Sequence, residues 1–151
     1  MSRQPADRWF RVEIPSSTAA LPWVSHGLRG FLRAVGWCRR DVFRLDLAVN
    51  EALDNAITHG NLNRVERVVR LEVRDEGDAV TVKIRDEGLG RPFDPDQLQP
   101  LSARNDALAE RGRGVALMRS LMDEVRVTRE SGSTVVCMKK YCHSERLRRA
   151  S

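Results

Sequence analysis

The chain has 151 residues, 41% of them hydrophobic and 31% charged, with a net charge of +5 and a pI near 9.7. That length suits one domain with an ordinary core, and the balance is that of a globular rather than a disordered chain. The longest apolar runs, such as residues 115–118, fall far short of a membrane span, and MSRQPADRW carries no apolar signal core, so a cytoplasmic protein is expected.

Three cysteines, Cys38, Cys137 and Cys142, make an odd count without CxxC spacing, which points away from a disulfide framework or a zinc site. The 26 basic residues are interspersed with 21 acidic ones, and aromatics are only 5% of the chain. A basic face interleaved with aromatics is therefore not indicated, and direct nucleic-acid binding is not expected. The basic tail SERLRRAS reads as solvated.

In chain order, residues 9–15 (WFRVEIP) alternate as a first strand and end at proline. Ser16, Ser17 and Thr18 offer N-caps for a helix to about residue 36, with Leu21, Val24, Leu28, Phe31, Leu32 and Val35 on its buried side. A second helix over about 41–59 carries Leu45, Ala48, Val49, Ala52, Leu53, Ala56 and Ile57 as one apolar stripe, and Gly60-Asn61 ends it. Residues 68–76 and 79–86 alternate on either side of Glu76-Gly77-Asp78 and predict a hairpin.

Residues 86–114 contain three prolines and no sustained apolar period, apart from a short helical turn in ARNDALAE. Such a stretch inside a compact domain is usually functional or disordered. A helix follows in VALMRSLMDEV, then two alternating segments, VRVTRE and STVVCMKKY, around Ser131-Gly132. No internal repeat is present. The pattern predicts an α+β domain: a two-layer sandwich of a mixed, mostly antiparallel sheet with helices on one face.

Three clusters carry candidate chemistry. Beside the stripe of the second helix, Glu51, Asn55 and His59 recur at intervals of four and form one polar line. At the end of the third strand, Asp86 is followed by Gly88 and Gly90 in DEGLG. Glycines so spaced let the backbone approach a ligand closely, while the carboxylate is suited to an exocyclic amine such as that of adenine. RGRG (111–114) precedes the helix predicted to start near Val115, so exposed amides with Arg111 and Arg113 would suit phosphate oxygens. Each cluster alone is weak, but their order describes a nucleotide pocket with a lid.

On LAVNEALDNAITHGN, DEGLG, FDP and ERGRGVALMRSLMDEV, the chain resembles the anti-sigma factor and switch-protein serine kinases (RsbW/SpoIIAB-like) of the histidine-kinase-like, or GHKL, ATPase superfamily. The resemblance runs from the first strand to MKKY and implies the Bergerat ATPase fold, ATP and Mg²⁺. It implies that Asn55 holds Mg²⁺, a hard cation suited to oxygen ligands, and that Glu51 acts as general base or positions the nucleophile. It implies further that Asp86 reads adenine, that Gly88 and Gly90 shape the pocket floor, and that Thr134 lies near the base. Gly112, Arg113, Gly114 and Val115 would meet the phosphates at the lid and helix start, with Arg104 a weaker lid candidate. His59 matches a recurrent histidine for which a structural hydrogen-bonding role is expected. Arg91-Pro92 between Gly90 and FDP departs from relatives, as does Val115-Ala116, where a bulkier pair is common. The domain is taken as 1–142, with the lid at about 91–113 and a tail at 143–151.

The leading functional expectation is an ATP-dependent serine/threonine kinase acting on a STAS-domain anti-anti-sigma antagonist. The resemblance also implies binding to a sigma factor and a homodimer. The alternative is a non-catalytic, nucleotide-gated binding module. A histidine kinase is disfavoured because no phosphoacceptor hairpin precedes the domain, and neither HRD/DFG nor Walker signatures occur.

Overall fold

Strand β1, Arg8–Pro15, forms on the alternating WFRVEIP segment, with Phe10, Val12 and Ile14 turned to the core face. The computed structural model describes residues 7–88 and 107–142, excluding the side chains of 107–113. Ser17 caps the next turn, its Oγ accepting from the Ala19 amide at 3.3 Å, and Pro22 sits in the first turn of α1, Leu21–Ala34, where its missing N–H costs nothing. Gly36, at φ 91°, closes α1. Helix α2, Arg39–Asn55, then returns antiparallel beside it and runs on into a π-helical turn, Ala56–Gly60.

Strands β2, Val68–Asp75, and β3, Ala79–Arg85, form the expected hairpin. Helix α3, Ala107–Leu121, leads into β4, Glu124–Glu130, and β5, Ser133–Tyr141, joined by a two-residue turn with Ser131 at φ 51° and Gly132 at φ 83°. Two successive positive φ angles match the twist of a tight hairpin. The five strands lie in the order β1-β2-β3-β5-β4. Every pairing is antiparallel among the described residues, so the parallel component implied by a mixed sheet is not found there.

The helices cover one face. Leu28, Leu32, Leu45, Leu53 and Ile57 pack over Leu71, Val73, Val82, Ile84 and Met138, each at most 1% exposed. Polar residues occupy the opposite face, as the period of two requires. Buried charges are partnered: Asp75 accepts from Trp37 Nε1 at 3.1 Å and Arg8 at 2.8 Å, while Lys140 donates to the Leu121 carbonyl at 3.1 Å and lies 4.0 Å from Asp41. The three cysteines are free thiols. No helix among the described residues is long and apolar enough to cross a membrane.

One boundary differs from expectation. Helix α3 is described from Ala107 onward, so Gly112, Arg113 and Gly114 lie within it rather than ahead of a helix beginning near Val115. Once the helix is nucleated earlier, amides in its interior are placed to meet carbonyls four residues back. Glycine lowers helix propensity but does not forbid that.

Candidate nucleotide site

The sheet and helices α2 and α3 line a solvent-open pocket. Its walls include Ala52, Ala56, Ile84, Val115, Met118 and Val136, which are apolar, while Asn55, His59, Asp86 and Thr134 supply the polar groups. An apolar slot with a few convergent polar atoms suits a flat heterocycle carrying a hydrogen-bonding edge.

Asp86 is only 4% exposed, and its orientation is set on three sides. Oδ1 accepts from the Gly88 amide at 2.8 Å and the Thr134 amide at 2.9 Å. The Asp86 amide in turn donates to the Thr134 carbonyl at 3.2 Å, which extends the β3–β5 ladder to the pocket. On the third side stands Gly60: a Cβ built there would lie 2.1 Å from Asp86 Oδ2. Gly88 has φ +76°, and a Cβ on it would lie 1.8 Å from the Gly132 carbonyl oxygen, so both its conformation and its surroundings require glycine.

Asn61 ties this corner together. Completely buried, it accepts from the Glu87 amide at 2.7 Å and donates to Ser16 Oγ at 2.9 Å and the Val68 carbonyl at 3.0 Å. It thereby joins the ends of α2, β1, β2 and β3 beside Asp86. Leu62 and Asn63 follow in the left-handed region, φ 54° and 56°. Together with the π-helical turn, which such helices reserve for local irregularity, they bring Gly60 and Asn61 against the strand end.

The polar line of α2 reaches the same pocket. Asn55 lines it, and Glu51 lies one turn earlier. Gly114 of α3 presses against both: a Cβ built on it would lie 2.9 Å from Asn55 Nδ2 and 3.4 Å from Glu51 Oε2. Burial, with a smaller effect from the Asp54 carboxylate, pushes the Glu51 carboxyl above its ordinary range. A carboxyl shifted that way is a better proton acceptor at neutral pH than an ordinary one, provided it remains ionised.

The donor set also fits Mg²⁺. No group of three or more His, Cys, Asp or Glu side chains among the described residues forms a ready-made metal cage. Mg²⁺ commonly takes one or two protein oxygens and completes its shell with phosphates and water. Asn55, which lines this pocket, carries a side-chain carbonyl oxygen of the kind Mg²⁺ accepts.

The structure therefore brings together Glu51, Asn55, Asp86, Gly88, Gly114, Val115 and Thr134, which come from four separate segments of the chain. His59 lines the pocket as well. Gly112 and Arg113 are placed within α3 by backbone only, and Gly90, Arg91, Arg104 and the tail 143–151 lie outside the described residues. Gly60 and Asn61 were legible only as a helix stop, because their role depends on Asp86, which is remote along the chain. Met118 had a visible signal as a member of the α3 apolar set, but nothing local aimed it at a pocket.

Comparison with known proteins identifies the family. The histidine kinase-like ATPase domain profile matches residues 14–140. A serine-protein kinase RsbW of Bacillus velezensis is 35% identical over 145 residues, covering 92% of this chain and 89% of its own. An anti-sigma F factor of Geobacillus stearothermophilus is 36% identical over 109 residues, covering 71% of this chain and 75% of its own. Among solved structures, the RsbU and RsbW domains of a Mycobacterium tuberculosis protein superpose with a TM-score of 0.63 at 20% identity. That match covers 89% of this chain and only 32% of the larger one, and it shows the fold alone. The chain belongs to the anti-sigma factor and serine-protein kinase family of histidine kinase-like ATPases.

Proposed function

We propose that the protein is an ATP-dependent serine/threonine kinase of a partner-switching system, which phosphorylates a STAS-domain anti-anti-sigma antagonist and binds a sigma factor. The observation that carries this reading is Glu51, a carboxyl with elevated proton affinity, one turn from Asn55 and packed with it against Gly114 at the pocket. A module that only binds nucleotide has no need of a proton acceptor there.

In this reading the apolar slot takes the adenine, and Asp86, held by two backbone amides, accepts from its exocyclic amine. Asn55 would hold Mg²⁺, which when bound neutralises charge on the phosphates. Glu51 accepts the proton of the attacking seryl or threonyl hydroxyl; of the expected lid at about 91–113, residues 107–113 belong to α3 and the remainder lies outside the described residues. Transfer moves the γ-phosphoryl group from ATP to the hydroxyl oxygen, breaking the bond to the β-phosphate bridging oxygen and leaving ADP. The domain assignment, 1–142 with a basic tail at 143–151, and a homodimeric assembly belong to the same proposal.

The test is phosphotransfer from γ-labelled ATP with Mg²⁺ to a purified STAS-domain antagonist from the same genome, beside Glu51→Gln. A labelled product that requires Glu51 supports the kinase. ATP binding without transfer, and sigma-factor binding unchanged in Glu51→Gln, would instead establish the nucleotide-gated binding module.

A further inference from the structure

The end of the α1–α2 hairpin opposite the pocket carries a surface that neither the fold nor the nucleotide chemistry explains. Between Ser16 and Asn50 the only acidic residues are Asp41 and Asp46, and both are buried. Asp41 faces Lys140, and Asp46 is engaged by Ser25, Arg29 and Asn50. Arg33, Arg39 and Arg40 are exposed, Arg44 is half-buried, and among the described residues none of the four forms an ion pair. Phe43 stands among them at 66% exposure. Arg39 and Arg40 open α2, whose N-cap Cys38 contributes no side-chain hydrogen bond. Cations at a helix N-terminus oppose its dipole and weaken it, so stability does not account for them.

From this arrangement we infer that the surface formed by Arg33, Arg39, Arg40, Phe43 and Arg44 docks an acidic protein surface containing an apolar recess for Phe43. Arginine and aromatic residues are enriched at protein interfaces, and a cluster of arginines is complementary to an acidic surface. Sixteen residues of helix separate Arg39 from Asn55, a rise of roughly 24 Å. The surface therefore lies apart from the nucleotide pocket. Nucleic acid and an anionic membrane share the charge requirement and also accept an exposed phenyl ring, so both are arms of the test.

The probe is a synthetic helical peptide with glutamates flanking a leucine stripe on the same face, titrated into the isotope-labelled full chain and followed by amide shifts. Shifts are expected to centre on residues 33–44. Arg39→Glu/Arg40→Glu should weaken binding by roughly tenfold or more, and Phe43→Ala by about threefold to tenfold. The charge-reversed variant should keep the wild-type ADP affinity and melt at the same or a higher temperature, since acidic residues suit that helix end. Binding indifferent to Phe43→Ala overturns the proposal, as do shifts confined to residues 143–151. Tighter binding of duplex DNA or phosphatidylglycerol vesicles through the same arginines also overturns it and reassigns the surface.

Discussion

Replacing Gly60 by alanine tests how the pocket floor is made. The added Cβ would lie 2.1 Å from Asp86 Oδ2 and 2.6 Å from its Cγ, more than 1 Å inside normal carbon–oxygen contact. Gly60 does not occupy the left-handed region, so the perturbation is steric and the backbone itself tolerates alanine. The carboxylate has no easy retreat, because the Gly88 and Thr134 amides hold Oδ1 at 2.8 and 2.9 Å. Overpacking of this kind costs about 1–3 kcal/mol of stability. Displacing Asp86 also removes one charge-assisted hydrogen bond to the base, about 1.5–3 kcal/mol, which is roughly a 10- to 100-fold loss of ADP affinity. Calorimetric titration with ADP measures it, alongside a purine nucleotide lacking the exocyclic amine, whose disadvantage should shrink in the variant. Gly30→Ala is the control: nothing lies within 4 Å of its Cβ, and the helix should gain about 0.5–1 kcal/mol. Wild-type ADP affinity in Gly60→Ala would refute the steric argument and Asp86 as the base-reading group.

Further predictions address the other groups of the site and core. Gly114→Ala places a methyl group 2.9 Å from Asn55 Nδ2 and 3.4 Å from Glu51 Oε2, and should reduce the phosphotransfer rate by roughly tenfold or more through misplacement, with a smaller change in ADP affinity; equal losses in both would show that the contact serves binding alone. Glu51 has a raised folded-state proton affinity, so its ionised form weakens the fold at neutral pH, and the penalty is relieved as pH falls through the folded value and is gone below the unfolded one. Glu51→Gln should therefore melt higher than the wild type at pH 7 and lose that advantage near pH 4, while phosphotransfer falls about 100-fold or more; a pH-independent difference in melting contradicts the assignment. Asn61→Ala leaves the Glu87 amide and Ser16 hydroxyl without their buried partner, a loss of about 1–3 kcal/mol in urea unfolding. Lys140→Met strands the buried Asp41 carboxylate and should destabilise by about 3 kcal/mol, most of it recovered in Lys140→Met/Asp41→Leu; no recovery would show that the ion pair is not the origin of the cost.

Much of this molecule was readable from its sequence, for a definite physical reason. Periods of two and 3.6 residues reflect which side of each element meets the core, so the five strands, the α1–α2 pair and both hairpin turns followed from residues such as Phe10, Leu28, Leu53 and Ser131-Gly132. The line of Glu51, Asn55 and His59 was visible because a helix repeats locally. The continuity of α3 was only partly so: ARNDALAE reads as a short helical turn, but RGRG reads locally as a break between it and VALMRSLMDEV.

What the tertiary structure alone decided are the contacts between remote segments. It put Gly60 against Asp86, Gly114 against Glu51 and Asn55, and Asn61 at the junction of four elements, each through approaches set by packing rather than by neighbours in the chain. It also sorted the charges. Composition showed basic and acidic residues interspersed, yet folding buries Asp41 and Asp46 and leaves Arg33, Arg39 and Arg40 exposed at one end of the helical layer. Local pattern determines which residues face inward, whereas the separation, burial and pairing of those residues are properties of the assembled layers.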